Sequence, residues 1–87
     1  MNDPEEVRRK RLAHRSRYRG AKESDLLFGR FADTYLGQLD AAQLDRYEAL
    51  VDEPDQDVLA WVYGRVPLPA RHDNDVFALL RRFEPQA

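Results

Sequence analysis

Glu23-Ser24-Asp25-Leu26-Leu27-Phe28-Gly29-Arg30-Phe31-Ala32-Asp33-Thr34-Tyr35-Leu36-Gly37 is the stretch whose pattern settles the fold class. Leu27, Phe31 and Tyr35 recur at every fourth position, and so do Phe28, Ala32 and Leu36. Two rows at that spacing lie side by side on a helix and make one wide apolar stripe. The early acids suit the positive end of a helix dipole, and the glycine suits a helix end. The pattern predicts a helix starting around Glu23–Asp25 and ending near Gly37, capped by Glu23 or Ser24, with its stripe forming core and not a cofactor box.

Outward from this helix the same reading gives four more. Asp3-Pro4-Glu5-Glu6 opens the first: Asp3 can cap, Pro4 suits the first helical position, and Glu6 stands at the capping-box position. This helix is expected to run to about Tyr18. With only Val7, Leu12 and Ala13 as apolar content, it is expected to lie on the body instead of filling the core. Arg19-Gly20 then interrupts the pattern. Asp40-Ala41-Ala42-Gln43 starts the third helix, with Asp40 as cap, Gln43 answering it, and Leu39 and Leu44 at the staple positions. Leu44, Tyr47 and Val51 mark its buried face. The fourth starts at Glu53 or Asp55, turns Val58, Leu59, Trp61 and Val62 inward, and ends at Gly64. Val66-Pro67-Leu68-Pro69 must be extended, because two prolines one residue apart forbid a helix. Asp73 is the expected cap of the last helix, in which Val76, Phe77, Leu80 and Phe83 face the core, and Pro85 closes it. No strand pair is evident. The fold class is all-α: a small five-helix bundle, one domain over residues 1–87, with 1–4 and 84–87 as frayed ends. Short connections predict that successive helices are roughly antiparallel neighbours.

Eighty-seven residues, 43% hydrophobic and 10% aromatic, suffice for one domain with a real core. The absence of cysteine excludes disulfides, iron–sulfur clusters, thiol chemistry and cysteine-ligated zinc. No apolar run could span a bilayer, so no membrane insertion is expected. The net charge of −2 hides an asymmetry. Residues 1–23 hold eight bases (Arg8, Arg9, Lys10, Arg11, Arg15, Arg17, Arg19 and Lys22) against four acids, an excess of four positive charges. The remainder holds six bases against twelve acids. A basic arm on an acidic body has nucleic acid, an acidic protein or a membrane surface as conceivable partners, and charge alone does not choose among them.

Enzyme readings fail for want of equipment. His14 and His72 are far apart and lack a matching acid-ligand spacing, so each is read as an exposed or capping histidine. Asp52-Glu53-Pro54-Asp55-Gln56-Asp57 superficially resembles a calcium loop but lacks its glycine and its twelfth-position glutamate, and reads as a turn and helix cap. Neither Ser16 nor Ser24 has the histidine-plus-acid context of a nucleophile. The pair Glu23 and Asp25 could transfer a proton only if a pocket existed beside it. No metal or cofactor of its own is expected. A nucleic-acid reading has the bases of the arm in its favour and a pI of about 5.6 against it. The oddest feature is Arg17-Tyr18-Arg19-Gly20-Ala21-Lys22-Glu23-Ser24-Asp25, a turn between helices at a glycine, with arginines before it and acids after it. Arg19 and Glu23 there offer a donor fork and an acceptor about one helical turn apart, and Gly20 would let another backbone come close.

These residues resemble the signature of the succinate dehydrogenase flavinylation factors, the SdhE-type assembly proteins. That signature is R-G-x-x-E with an acid two positions on, here Arg19-Gly20-Ala21-Lys22-Glu23 and Asp25. Leu26-Leu27-Phe28 matches the apolar start of the family's second helix, and Asp55-Gln56-Asp57-Val58-Leu59-Ala60-Trp61 matches its D-x-D-[LIV]-x-x-W helix start. The resemblance covers roughly residues 5–83. One departure is Ala21, where the family often has methionine, which would weaken an apolar contact with the partner. The resemblance implies an assembly chaperone without catalytic activity. It would bind the flavoprotein subunit of succinate dehydrogenase, and in bacteria often fumarate reductase, and promote covalent attachment of FAD to a histidine of that subunit. FAD would be the partner's cofactor. By that analogy Arg19, Gly20 and Glu23 lie against the partner, with Arg17, Tyr18 and Asp25 beside them. A monomer without nucleic acid is expected, and the missing presequence points to a bacterial, cytoplasmic member. The alternative is an antitoxin-like or nucleic-acid-associated regulator using the basic first helix.

Overall fold

A computed structural model describes residues 3–85 and is all-helical among them. Five α-helices follow in order: α1 (Pro4–Arg17), α2 (Lys22–Tyr35), α3 (Ala41–Val51), α4 (Asp55–Val62) and α5 (Asp75–Leu80). Three single 3₁₀ turns, Leu36–Gln38, Ala70–His72 and Arg81–Phe83, complete the chain. Of the ends expected to fray, residues 1–2 and 86–87 lie outside the described residues. Asp3 accepts the Glu5 amide as the α1 cap. Pro85 is buried, and its carbonyl accepts the Tyr63 hydroxyl.

The α2 stripe is the centre of the core, as its two rows require. Leu27, Phe28 and Phe31 are fully buried, Ala32 and Leu36 nearly so, and Tyr35 packs at the edge. Phe31 stacks on Tyr47 of α3 at 4.8 Å and meets Phe83 edge-on. The expected succession of neighbours holds for α1 and α2 but not for the helices that follow. The main contacts of α1 are with α2 and α3, those of α5 are with α2 and α3, and α4 lies against α2. Shape dictates this: α2 carries the widest apolar face, so the short helices gather on it whatever their order in sequence.

The helix ends agree with sequence chemistry where the signal was reciprocal. Asp40 and Gln43 form a full capping box on α3, with both hydrogen bonds present. Leu39 and Leu44 are buried at the staple positions. Gly64, at φ +73°, closes α4 in a Schellman arrangement: its N–H donates to the Trp61 carbonyl at 3.2 Å and the Arg65 N–H to that of Ala60 at 2.9 Å. Three expectations need correction. The cap of α5 is Asn74, whose Oδ1 accepts the Phe77 amide, and not Asp73. Neither Glu23 nor Ser24 caps α2, which begins one residue earlier, after Ala21, without a side-chain cap. Finally, α1 does enter the core: Leu12 and Ser16 are fully buried, because one leucine suffices where the facing surface is Tyr47 and the α2 stripe. Ser16 Oγ donates to the Leu12 carbonyl at 2.7 Å and lies 2.5 Å from the Tyr47 hydroxyl. Burial pushes the Tyr47 pKa well above its ordinary value, so this hydroxyl stays protonated and donates to Ser16. No helix among the described residues is long and apolar enough to cross a membrane.

Candidate functional site

The turn between α1 and α2 is built around Arg19, whose side chain points into the protein. Only 7% of that side chain is exposed. Its Nε donates to Asp55 Oδ1 at 2.6 Å, and its two terminal nitrogens donate to the carbonyls of Val51 (2.8 Å) and Glu53 (2.9 Å). The guanidinium also lies 4.2 Å from the centroid of the Phe28 ring. The planar fork thus closes the negative C-terminal end of α3, bridges the turn to α4, and covers the aromatic floor of α2. Its backbone is held as well: the Arg19 amide donates to Asp25 Oδ1 at 2.8 Å. Asp25 therefore folds back from the first turn of α2 to secure the turn that precedes it.

This clamp sorts the six candidate residues into two groups. Arg19 and Asp25 act within the fold. Gly20, at φ +100°, sits on the surface in a conformation that L side chains rarely adopt, and an added Cβ would meet nothing within 4 Å. Its requirement for glycine is set by the backbone. Glu23 is exposed, with no hydrogen-bonded or charged partner among the described residues. Tyr18 is 73% exposed, the most open large apolar side chain among the described residues, with its ring 4.7 Å from that of His14. Arg17 is exposed and pairs with Asp33 of α2. Tyr18 forms a ridge between two shallow grooves. One, about 340 Å³, runs along α2 past Leu26 and Gly29. The other, about 300 Å³, lies towards His14 and Arg15.

Three acids of the stretch 52–57 are partnered by side chains of the same chain. Asp52 pairs with Arg15, Asp55 with Arg19, and Glu53 with Arg71 and His72. Among the described residues no three acidic or histidine side chains gather into a metal site. His72 departs from its sequence reading: it is buried, lies tilted against Trp61 with ring centroids 5.2 Å apart, and its Nε2 lies 2.6 Å from Glu53 Oε2. The His72 ring, followed by the Arg71 guanidinium, holds the Glu53 carboxyl below the usual range. Glu53 thus braces the Ala70–His72 turn with its side chain and the Arg19 fork with its carbonyl. That pairing spans 19 residues and has no local sequence signal.

The basic arm is also largely neutralised from within. Arg8 meets Asp45 and Glu48, Arg9 meets Glu5 and the Leu39 carbonyl, and Arg15, Arg17 and Arg19 have the acids named above. Of the eight bases in residues 1–23, Lys10, Arg11 and Lys22 have no ion pair among the described residues. The charge asymmetry of the sequence is chiefly the two halves of intramolecular pairs, which removes most of the phosphate-binding capacity a nucleic-acid reading needs.

Leu26 was missed by the core pattern for a reason that makes it informative. It falls opposite both apolar rows of α2 and is exposed beside Tyr18. An apolar residue off the stripe is the one sequence signal that marks this outer face.

Comparison with known proteins bears on this geometry. The family described as "Flavinator of succinate dehydrogenase" matches residues 10–84. Among similar proteins are the mitochondrial succinate dehydrogenase assembly factor 2 of the yeast Scheffersomyces stipitis, 44% identical over 87% of this chain and 54% of its own, and that of Meyerozyma guilliermondii, 43% identical over 88% of this chain and 60% of its own. The mosquito Aedes aegypti has another, 38% identical over 92% of this chain and 51% of its own. The chain spans about half the length of these relatives. They correct one expectation. They are named as mitochondrial proteins of yeasts and an insect, so the bacterial, cytoplasmic assignment drawn from the opening residues does not stand. With the match covering most of the helical bundle and the whole Arg19–Asp25 turn, the chain belongs to the succinate dehydrogenase flavinator family, a family of assembly factors.

Proposed function

We propose that this protein docks through the exposed part of its α1–α2 turn on the flavoprotein subunit of succinate dehydrogenase and promotes covalent attachment of FAD there, without catalysis of its own. The observation that carries this reading is the division of labour in the turn. Arg19 and Asp25 fix the backbone from inside, which leaves Tyr18, Gly20 and Glu23 presented outward on a rigid support. A preorganised polar edge beside an exposed aromatic ring suits protein docking, because little side-chain and loop ordering remains to oppose binding. Ala21, half-buried at the start of α2, leaves apolar contact to Tyr18 and Leu26. Fumarate reductase, with a flavoprotein subunit of the same chemistry, is a second client on this reading.

The mechanism is population shift. The flavin supplies the electrophilic methyl carbon in the partner; this chain supplies only a surface that fits the attachment-competent shape of that subunit. If it binds that shape about tenfold more tightly than the open one, their ratio rises about tenfold. Covalent flavin in the purified flavoprotein subunit, measured with limiting wild-type factor and with Glu23→Ala or Tyr18→Ala, tests the reading. Both variants should lower the yield while keeping the wild-type urea midpoint. Full yield with both would sink it.

A further inference from the structure

The α2 helix presents an outer face that the fold does not use. Leu26, Gly29, Arg30 and Asp33 follow one another at helical spacing opposite the core stripe, and all four line the groove beside Tyr18. Three observations converge on it. Gly29 sits in the middle of a 14-residue helix, where glycine is among the least favourable choices. Nothing inside the molecule explains it, since it has ordinary helical backbone and an added Cβ would meet nothing within 4 Å. Arg30, one residue on, is exposed and has no hydrogen-bonded or charged partner among the described residues, whereas Asp33 is taken by Arg17 and Asp25 by the Arg19 amide. Tyr18 and Leu26, two of the four exposed large apolar side chains among the described residues, wall the groove on its turn side.

We propose that this groove is a second docking subsite, continuous with the signature turn, which receives an extended segment of the flavoprotein partner that carries a carboxylate. The segment's backbone passes over Gly29, an apolar side chain of the segment enters between Tyr18 and Leu26, and a carboxylate meets Arg30. Arg30 selects the occupant: Arg17 pairs with Asp33 and Asp25 accepts the Arg19 amide, which leaves Arg30 as the one charged side chain lining the groove without a hydrogen-bonded or charged partner among the described residues, free to take a carboxylate. The missing Cβ at Gly29 lets a backbone approach the helix more closely than any other residue would. This subsite rests on the docking reading given above, and its test separates the two.

The experiment titrates purified flavoprotein subunit with wild-type factor, Gly29→Ala, Gly29→Gln, Arg30→Glu and Glu23→Ala, and records each factor's melting temperature. Gly29→Ala and Gly29→Gln should melt about 4–8 °C higher, because a better helix former replaces glycine at an open site. Lost binding in these variants cannot then be lost folding. Gly29→Gln and Arg30→Glu should each weaken binding about tenfold or more, the second with a reduced salt dependence. If both bind as wild type while Glu23→Ala binds more weakly, the turn docks and the groove does not. If wild type itself fails to bind the flavoprotein subunit, the functional reading falls and the subsite with it. If sedimentation shows a dimer that Gly29→Gln abolishes, the face belongs to a second copy of this chain and the proposal is overturned.

Discussion

Arg19 Nε donates to Asp55 Oδ1 at 2.6 Å across 36 residues of sequence, and this one pair joins the α1–α2 turn to the start of α4. The signature arginine thus faces the body of the protein and sets the shape of the turn. Asp55 lies within the acidic stretch 52–57, and it has two roles there: first residue of α4 and anchor of the Arg19 fork.

Removing the fork should be costly. Arg19→Ala leaves the Val51 and Glu53 carbonyls and the Asp55 carboxylate without their donor and uncovers Phe28. A loss of about 2–4 kcal/mol is expected. Arg19→Lys keeps the charge but cannot donate along three directions in one plane, and should lose about 1–2 kcal/mol. Urea denaturation of both variants checks this; wild-type midpoints would contradict the inward role.

At Gly20 the cost should be independent of side-chain size. The backbone is at φ +100° and the space around a Cβ is open, so Gly20→Ala and Gly20→Arg should each destabilise by about 1–2 kcal/mol. Any further loss of covalent flavin in the partner with Gly20→Arg over Gly20→Ala then measures obstruction at the docking face. Equal stability losses with unequal flavin yields are the expected outcome.

Glu53 should give the protein an acid limb of stability. Its pKa is lowered in the folded state by the His72 ring and then Arg71. Its contribution is therefore complete above the ordinary glutamate value of about 4.3 and is lost as pH falls through the lower folded value. Glu53→Gln should lose that part of the pH dependence and lie closest to wild type at the acid end. Thermal melts between pH 2.5 and 6 would decide it.

The buried Ser16–Tyr47 pair predicts an ordering. Ser16 already donates to the Leu12 carbonyl, so the Tyr47 hydroxyl is the donor between them. Tyr47→Phe removes one hydrogen bond without orphaning a donor, at about 1 kcal/mol. Ser16→Ala leaves the Tyr47 hydroxyl buried and unpartnered, at about 1–3 kcal/mol. Urea midpoints in the reverse order would mean the donor assignment is wrong.

Much of the fold was legible because its signals are local. The two apolar rows of α2, the Asp40–Gln43 box and the proline pair at 67 and 69 each act within about two helical turns, where side-chain chemistry dictates backbone geometry directly. The misplaced cap at 73 was a choice between adjacent polar residues, Asp73 and Asn74, whereas α2 simply starts after Ala21 with no side-chain cap. The contribution of α1 to the core was underread because hydrophobic content counts residues, whereas Leu12 counts by where it lands.

By itself, the sequence determined the number of helices, the position of the turn between the first two, and the identity of the residues in it. Periodicity and capping are short-range, and a glycine at φ +100° is announced by the glycine. Only the tertiary structure decided which of those residues face outward. Arg19 and Glu23 look alike in sequence as exposed charges four apart, but Arg19 finds Asp55 and two carbonyls at the end of α3 and turns inward, while Glu23 finds nothing and stays in solvent. The eight bases of the arm divided in the same way, four of them meeting acids brought from α2, α3, its C-cap and α4. Charge pairing across 16 to 40 residues depends on how helices stack, and that geometry exists only once the apolar stripe of α2 has been covered.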